Sequence, residues 1–318
     1  MFRLFVALVA LALAAGPAAA QDTFPNRPIT IVVTAPAGGA NDLIARVLGE
    51  GMQGELRQPV IVDNRVGAAG IIGAVYAAKA APNGYTLVIG TGTTHVVVPS
   101  MTKAAGYDPV KDFTPIVLVG HGTAVLVAGP SLAVKTLPEV IAAARARPGQ
   151  VSFATNGPGG VYDLAALGLE TLAGVKFNRV PYKGVPAATA DLVGGNIDLV
   201  VGPPDGNMQN PKVQWIAALG SKRSSVRPDV PSAAEQGYPG FAVPVWAGVY
   251  APANVPRPIV ERLKSVLLAV MARPEVKTRI RASGVEVEGG DDAALARVMN
   301  DSLVAVRDIM KKANIVPE

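Results

Sequence analysis

The stretch TIVVTAPAGGANDLIAR, residues 30–46, decides the fold. A β-branched run passes through Pro36, Gly38 and Gly39 into an amphipathic pattern, which predicts a strand, a glycine turn and a helix opening at Asn41 or Asp42. Glycines let a ligand approach the main chain, and the unpaired N–H groups and positive dipole end of a helix favour carboxylate or phosphate. The segment is therefore an oxyanion cradle as well as a fold signal.

Outward from it, the N-terminal side carries one early cation, Arg3, then the apolar run LFVALVALALAAG and the small residues Ala18, Ala19 and Ala20. This is the pattern of a cleaved export signal over residues 1–20, with an apolar run shorter than the roughly 20 residues a spanning helix needs. Periplasmic residence follows as an expectation. The chain has no cysteine, which excludes disulfides, thiol nucleophiles and Cys-ligated metal. Removing Arg3 with the leader leaves 28 basic against 24 acidic side chains, and no basic run with interleaved aromatics marks a nucleic-acid surface.

On the C-terminal side, strand-like runs alternate with helical patterns and glycine turns. PVIVDNR, then a helix through Tyr76, then YTLVIGTGT with the hydroxyl-rich turn Thr91, Thr93, Thr94, His95 complete a first βαβαβ set. A second set begins near Ala124. There VSFAT enters the glycine-rich loop 156–160 and a helix expected from Asp163 to Leu172, followed by VPYKG, a helix through Leu192, IDLVV and WIAALGS. After VWAGVYAPA come two long amphipathic helices, with apolar faces through Ile259–Val270 and Leu295–Ile309.

At 318 residues two lobes are expected. Residues 21–121 plus 249–318 form lobe 1 and residues 122–248 lobe 2, with crossings near Val119–Thr123 and Val245–Tyr250 acting as a hinge. The class is α/β, each lobe a mixed sheet flanked by helices.

Six segments in order, FPNRPITIVVTAPAGGANDLIAR, DNRVGAAGIIGA, APNGYTLVIG, YDPVKDFTPI, VPYKG and GGNIDLV, resemble the signatures of the tripartite tricarboxylate transporter substrate-binding proteins, the Bug family. The resemblance covers nearly the whole chain after residue 20. It implies a periplasmic binding protein of the two-lobed type, closing on a small organic acid and serving membrane permease subunits. The expected ligand set is Ala37, Gly38, Gly39, Ala40 and Asn41; Thr93 and Thr94; Asn156, Gly157, Gly159, Gly160, Val161 and Asp163; with Tyr182 and Asp205. No cofactor or metal is expected, and the chain is expected to be a monomer. The carboxylate is expected on the main-chain N–H groups of the two glycine loops, without an arginine clamp.

Three departures from the family pattern bear on the ligand: Ala35 where an aromatic is usual, Gly160 and Asp163 where a serine and a histidine are usual, and an irregular stretch from Gly202 to Gln209. They predict a wider pocket in which Asp163 repels a second carboxylate, favouring a monocarboxylate, amino-acid-like or aromatic acid over a tricarboxylate. Other residues have structural readings: Gly67, Gly70 and Gly73 as loop packing first and cleft rim second, and Lys183 as a solvated turn cation. Neither His95 nor His121 sits in a metal or nucleophile motif. Alternative functions are a ligand sensor presenting its closed form to a receptor, or an exported hydrolase; the hydrolase lacks a recognisable nucleophile and base.

Overall fold

The structure, a computed structural model, describes residues 24–102, 105–157, 160–204, 208–220, 222–239 and 243–312. The leader, Gly159 and Asp205 lie outside the described residues. Strands β1 (Ile29–Val33), β2 (Val60–Asn64), β3 (Thr86–Thr91), β4 (Phe113–Gly122), β10 (Trp246–Pro252) and β11 (Val285–Gly290) form one sheet in the order β11-β4-β10-β3-β1-β2. Strands β5 (Val125–Ala128), β6 (Ser152–Thr155), β7 (Asn178–Pro181), β8 (Leu199–Gly202) and β9 (Gln214–Ala218) form the other, in the order β7-β6-β8-β5-β9. Each sheet is mixed: β1 lies parallel to β2 and β3, and β6 parallel to β7 and β8, while β10, β11, β5 and β9 pair antiparallel.

The parallel strands need crossovers, and helices supply them. In lobe 1 these are α1 (Ala40–Leu56) and α2 (Ile71–Ala78); a short α3 (Val98–Met101) follows β3. In lobe 2 α4 (Leu137–Ala146) precedes β6, and α5 (Val161–Ala173) and α6 (Val185–Gly194) link the parallel strands. The apolar stripe of α1 is the face its periodicity marks: Ile44, Val47, Leu48 and Met52 are all buried against the first sheet with the faces of α7 (Arg257–Ala272) and α8 (Pro274–Arg281). The last helix, α9 (Asp292–Lys312), buries Leu295, Met299 and Val306 on the sheet's opposite face.

Four elements depart from the sequence reading. Between the two long C-terminal helices the chain inserts the short α8 and the edge strand β11, which pairs Val285, Glu286 and Val287 with Gly122, His121 and Gly120 of β4. The helices α1 and α5 also begin earlier than expected, at Ala40 and Val161, because Gly39 and Gly160 take the N-cap position in extended conformation. At the two crossings, the Gly122 N–H donates to the Val245 carbonyl at 2.9 Å, so the outgoing and returning chains run side by side.

Candidate functional site

The strand ends β1, β3 and β6 and the helix starts that follow them open onto one cavity of about 950 Å³ between the sheets. This is the carboxyl-end crevice where open α/β sheets take ligands. Lobe 1 lines it with Thr34–Pro36, Gly39–Asn41, Val66–Ile71 and Thr91–Thr93, and lobe 2 with Asn156, Gly157, Val161, Tyr162 and Pro181–Pro186. The wall beside the crossings is Pro203, Pro244, Val245, Trp246, Ala247, Ser283 and Val285. Among the described lining residues Lys183 carries the one formal charge.

The first-lobe loop is braced from behind by Asp42 in the opening turn of α1. Its carboxylate accepts from the Gly38 N–H at 3.0 Å, from Arg46 at 2.9 and 3.0 Å, and from Asn64 Nδ2 at 3.0 Å; that Asn64 amide also donates to the Ala35 carbonyl. Burial opposes ionisation of Asp42, but the Arg46, Gly38 and Asn64 hydrogen bonds prevail and hold its pKa below the ordinary carboxylate value. The second lobe repeats the plan. Asp163 holds the equivalent third position of α5, is 6% exposed, and accepts from Arg179 Nη1 at 3.0 Å.

This bracing corrects the expected donor set. The Gly38 N–H is spent on Asp42, Gly39 on the Pro36 carbonyl, Gly157 on Thr155 Oγ1, Gly160 on the Gly157 carbonyl and Tyr162 on Asn156 Oδ1. The helix openings remain: Ala40 and Asn41 in lobe 1, and Val161 and Val185 in lobe 2, have amides without an acceptor among the described residues, as the first turn of any helix must. Among the described residues, the amides left free at the cavity are therefore those of helix starts.

Of the expected ligand set, Gly39, Ala40, Asn41, Thr93, Asn156, Gly157, Val161 and Tyr182 line the cavity. Ala37 and Gly38 are exposed and do not line the cavity. Thr94 is 1% exposed and turned inward, where its Oγ1 accepts from the Thr91 N–H and lies 3.0 Å from His95 Nδ1. Gly160 is buried behind Asn156, and a Cβ there would fall 2.0 Å from Asn156 Oδ1. Asp163 is neither an N-cap nor a cavity residue, because its carboxylate is engaged by Arg179; the expectation that it repels a second carboxylate loses its basis.

Sequence reading underweighted two segments. Residues 67–70 all have positive φ, including Ala68 at 47° and Ala69 at 51°, and this turn lines the cavity directly rather than its rim. Lys183 and Gly184 meet the first lobe: a Cβ on Gly184 would lie 2.8 Å from the Pro36 ring, so the two lips touch there. Beneath the floor, His95 is wholly buried, stacks on Tyr250 at 4.1 Å, and burial drives its pKa down to about 3. Burial, then the hydrogen bond it donates to Asp191 at 2.8 Å, pushes the Tyr182 hydroxyl up to about 12.

A family profile described as the tripartite tricarboxylate transporter family receptor, TctC, matches residues 44–315. The chain belongs to this family. BugT of Bordetella pertussis is 38% identical to it over 262 residues, 79% of either chain. Among solved structures, an R. palustris protein with adipate aligns at a TM-score of 0.88 and 30% identity, covering 93% of this chain and 100% of its own. MatC from Rhodopseudomonas palustris with bound malate aligns at 0.84 and 32% identity, covering 90% and 99%. The TctC family and these neighbours are periplasmic solute-binding proteins rather than enzymes, and the two-lobed α/β fold is theirs.

Proposed function

We propose that this TctC-family chain is a periplasmic receptor that captures a small organic acid between its lobes and hands it to the membrane subunits of a tripartite-type transporter. The observation that carries the reading is the convergence of helix starts from both lobes, α1, α5 and α6, on one cavity whose described lining holds no acidic side chain. Each helix start supplies oriented N–H donors and a partial positive charge, so a carboxylate is held by charge-assisted hydrogen bonds without a guanidinium. Donors on both lobes are satisfied together only when the lobes are closed, which makes the paired crossings at Gly122 and Val245 the hinge. Carboxylate ligands in two structural relatives support the ligand class.

The test is a melting-temperature screen of carboxylic acids followed by titration calorimetry on the best of them, with Asn41→Asp as the control. A carboxylate at the second position of α1 suits the helix dipole, so the fold stays intact, yet it repels the ligand's anion. Binding should weaken at least about tenfold at an unchanged melting temperature. A screen in which no carboxylate raises the melting temperature refutes the reading, since a ligand at a hundredfold excess over its Kd stabilises by about 2.7 kcal/mol.

A further inference from the structure

The cavity lining is chemically divided. The helix starts with Thr93, Asn41 and Asn156 bring polar groups to it, and the wall at the crossings brings mostly carbon. Pro203 and Pro244 bring no N–H to that wall, and the side chains of Val245 and Val285 bring only carbon. The side-chain donors on it are already spent: Trp246 Nε1 donates to Ser302 Oγ at 3.2 Å and Ser283 Oγ to the Ile280 carbonyl at 2.7 Å. Lys183 springs from the lip beside the first-lobe loop, where its neighbour Gly184 touches Pro36.

A second carboxylate placed against such a wall would lose its water and find no free side-chain donor, whereas an apolar group would gain by the same exclusion. The volume of about 950 Å³ lies at the upper end of small-molecule sites, so the cavity admits a body of aryl size. Resting on the acid-receptor reading, we infer that the acid is a monocarboxylate with a bulky apolar body of aryl size, its carboxylate on the amides of α1 and α5 and its body against Trp246 and Val245. Aromatic bodies gain most, since they bring the largest apolar surface per rotatable bond to such a wall.

Calorimetry on residues 21–318 with 3-phenylpropionate, adipate, malate and citrate tests this. Phenylpropionate should bind at least about tenfold tighter than any of the three polyacids. Val245→Lys puts a cation on the wall and should weaken phenylpropionate while strengthening adipate; the milder Val245→Thr should weaken phenylpropionate alone. The chain has two tryptophans, so in Trp215→Phe the emission of Trp246 reports the wall by itself, and it should shift on saturation with phenylpropionate. A polyacid that binds tightest, or saturable phenylpropionate binding with unchanged Trp246 emission, overturns the inference and leaves the acid receptor standing. Failure of every acid to bind removes both.

Discussion

Replacing Asp42 by asparagine keeps the shape of the α1 opening and removes its charge. Asp42 has a side chain 5% exposed, whereas its partner Arg46 is 53% exposed and can return to water, so that ion pair is worth only about 1 kcal/mol after discounting for solvent. The Gly38 and Asn64 bonds lose their charge assistance, about 0.5–1 kcal/mol each, and the helix start loses about 0.5 kcal/mol of dipole interaction. The Asp42→Asn substitution should therefore destabilise the protein by about 2.5–3.5 kcal/mol at about pH 7. Because the folded-state pKa of Asp42 lies below its unfolded value, its contribution is present above about pH 4 and disappears as pH falls through the folded value. Urea titrations of both proteins at stepwise pH read the difference directly, since all other acids titrate in both. A gap under about 0.5 kcal/mol at pH 7, or one that stays constant down the acid limb, would refute the bracing role.

Two further outcomes follow from the packing. Gly160→Ala pushes Asn156 off the Tyr162 amide, which should cost about 0.5–2 kcal/mol in stability and, because Asn156 lines the cavity, weaken the best acid ligand severalfold by calorimetry; binding and stability at the native level would remove Asn156 from the site. His95, neutral in the fold with a pKa of about 3, gains a proton on unfolding below about pH 6.5, so stability should fall by up to about 1.4 kcal/mol per pH unit between those values. His95→Gln should flatten that slope in denaturant titrations, and parallel curves would count against it.

The sequence reported what local chemistry dictates and missed what only packing decides. The α1 stripe of Ile44, Val47, Leu48 and Met52 and the glycine turns after β1 and β6 were legible because periodicity and glycine placement are local signals. Strand β11 was not, since two valines among acids and glycines at residues 285–290 alternate too briefly to stand out. Nor could composition show which amides are spent: Gly38 gives up its N–H to a carboxylate four residues on, and Gly157 to Thr155, choices made by the turn geometry. The crossing wall draws on residues from three distant segments, Pro203, Pro244 to Ala247 and Ser283 to Val285, which only the tertiary fold assembles. Ala68 and Ala69 gave no hint of left-handed backbone, as alanine ordinarily avoids it.

The bond from the Gly122 amide to the Val245 carbonyl ties the two crossings into one narrow ribbon, and under the proposed function that makes the cleft a bivalent device. Either lobe alone offers a ligand two amides and a short-lived contact. The other lobe is tethered so closely that its effective concentration is of millimolar order, and engagement of both faces multiplies affinity by about 10²–10⁴ without a new kind of contact. Residence time is then set by how long the halves stay together. A membrane partner that spreads the ribbon by a few ångströms would forfeit that multiplication at once, and unloading would need no competitor for the acid.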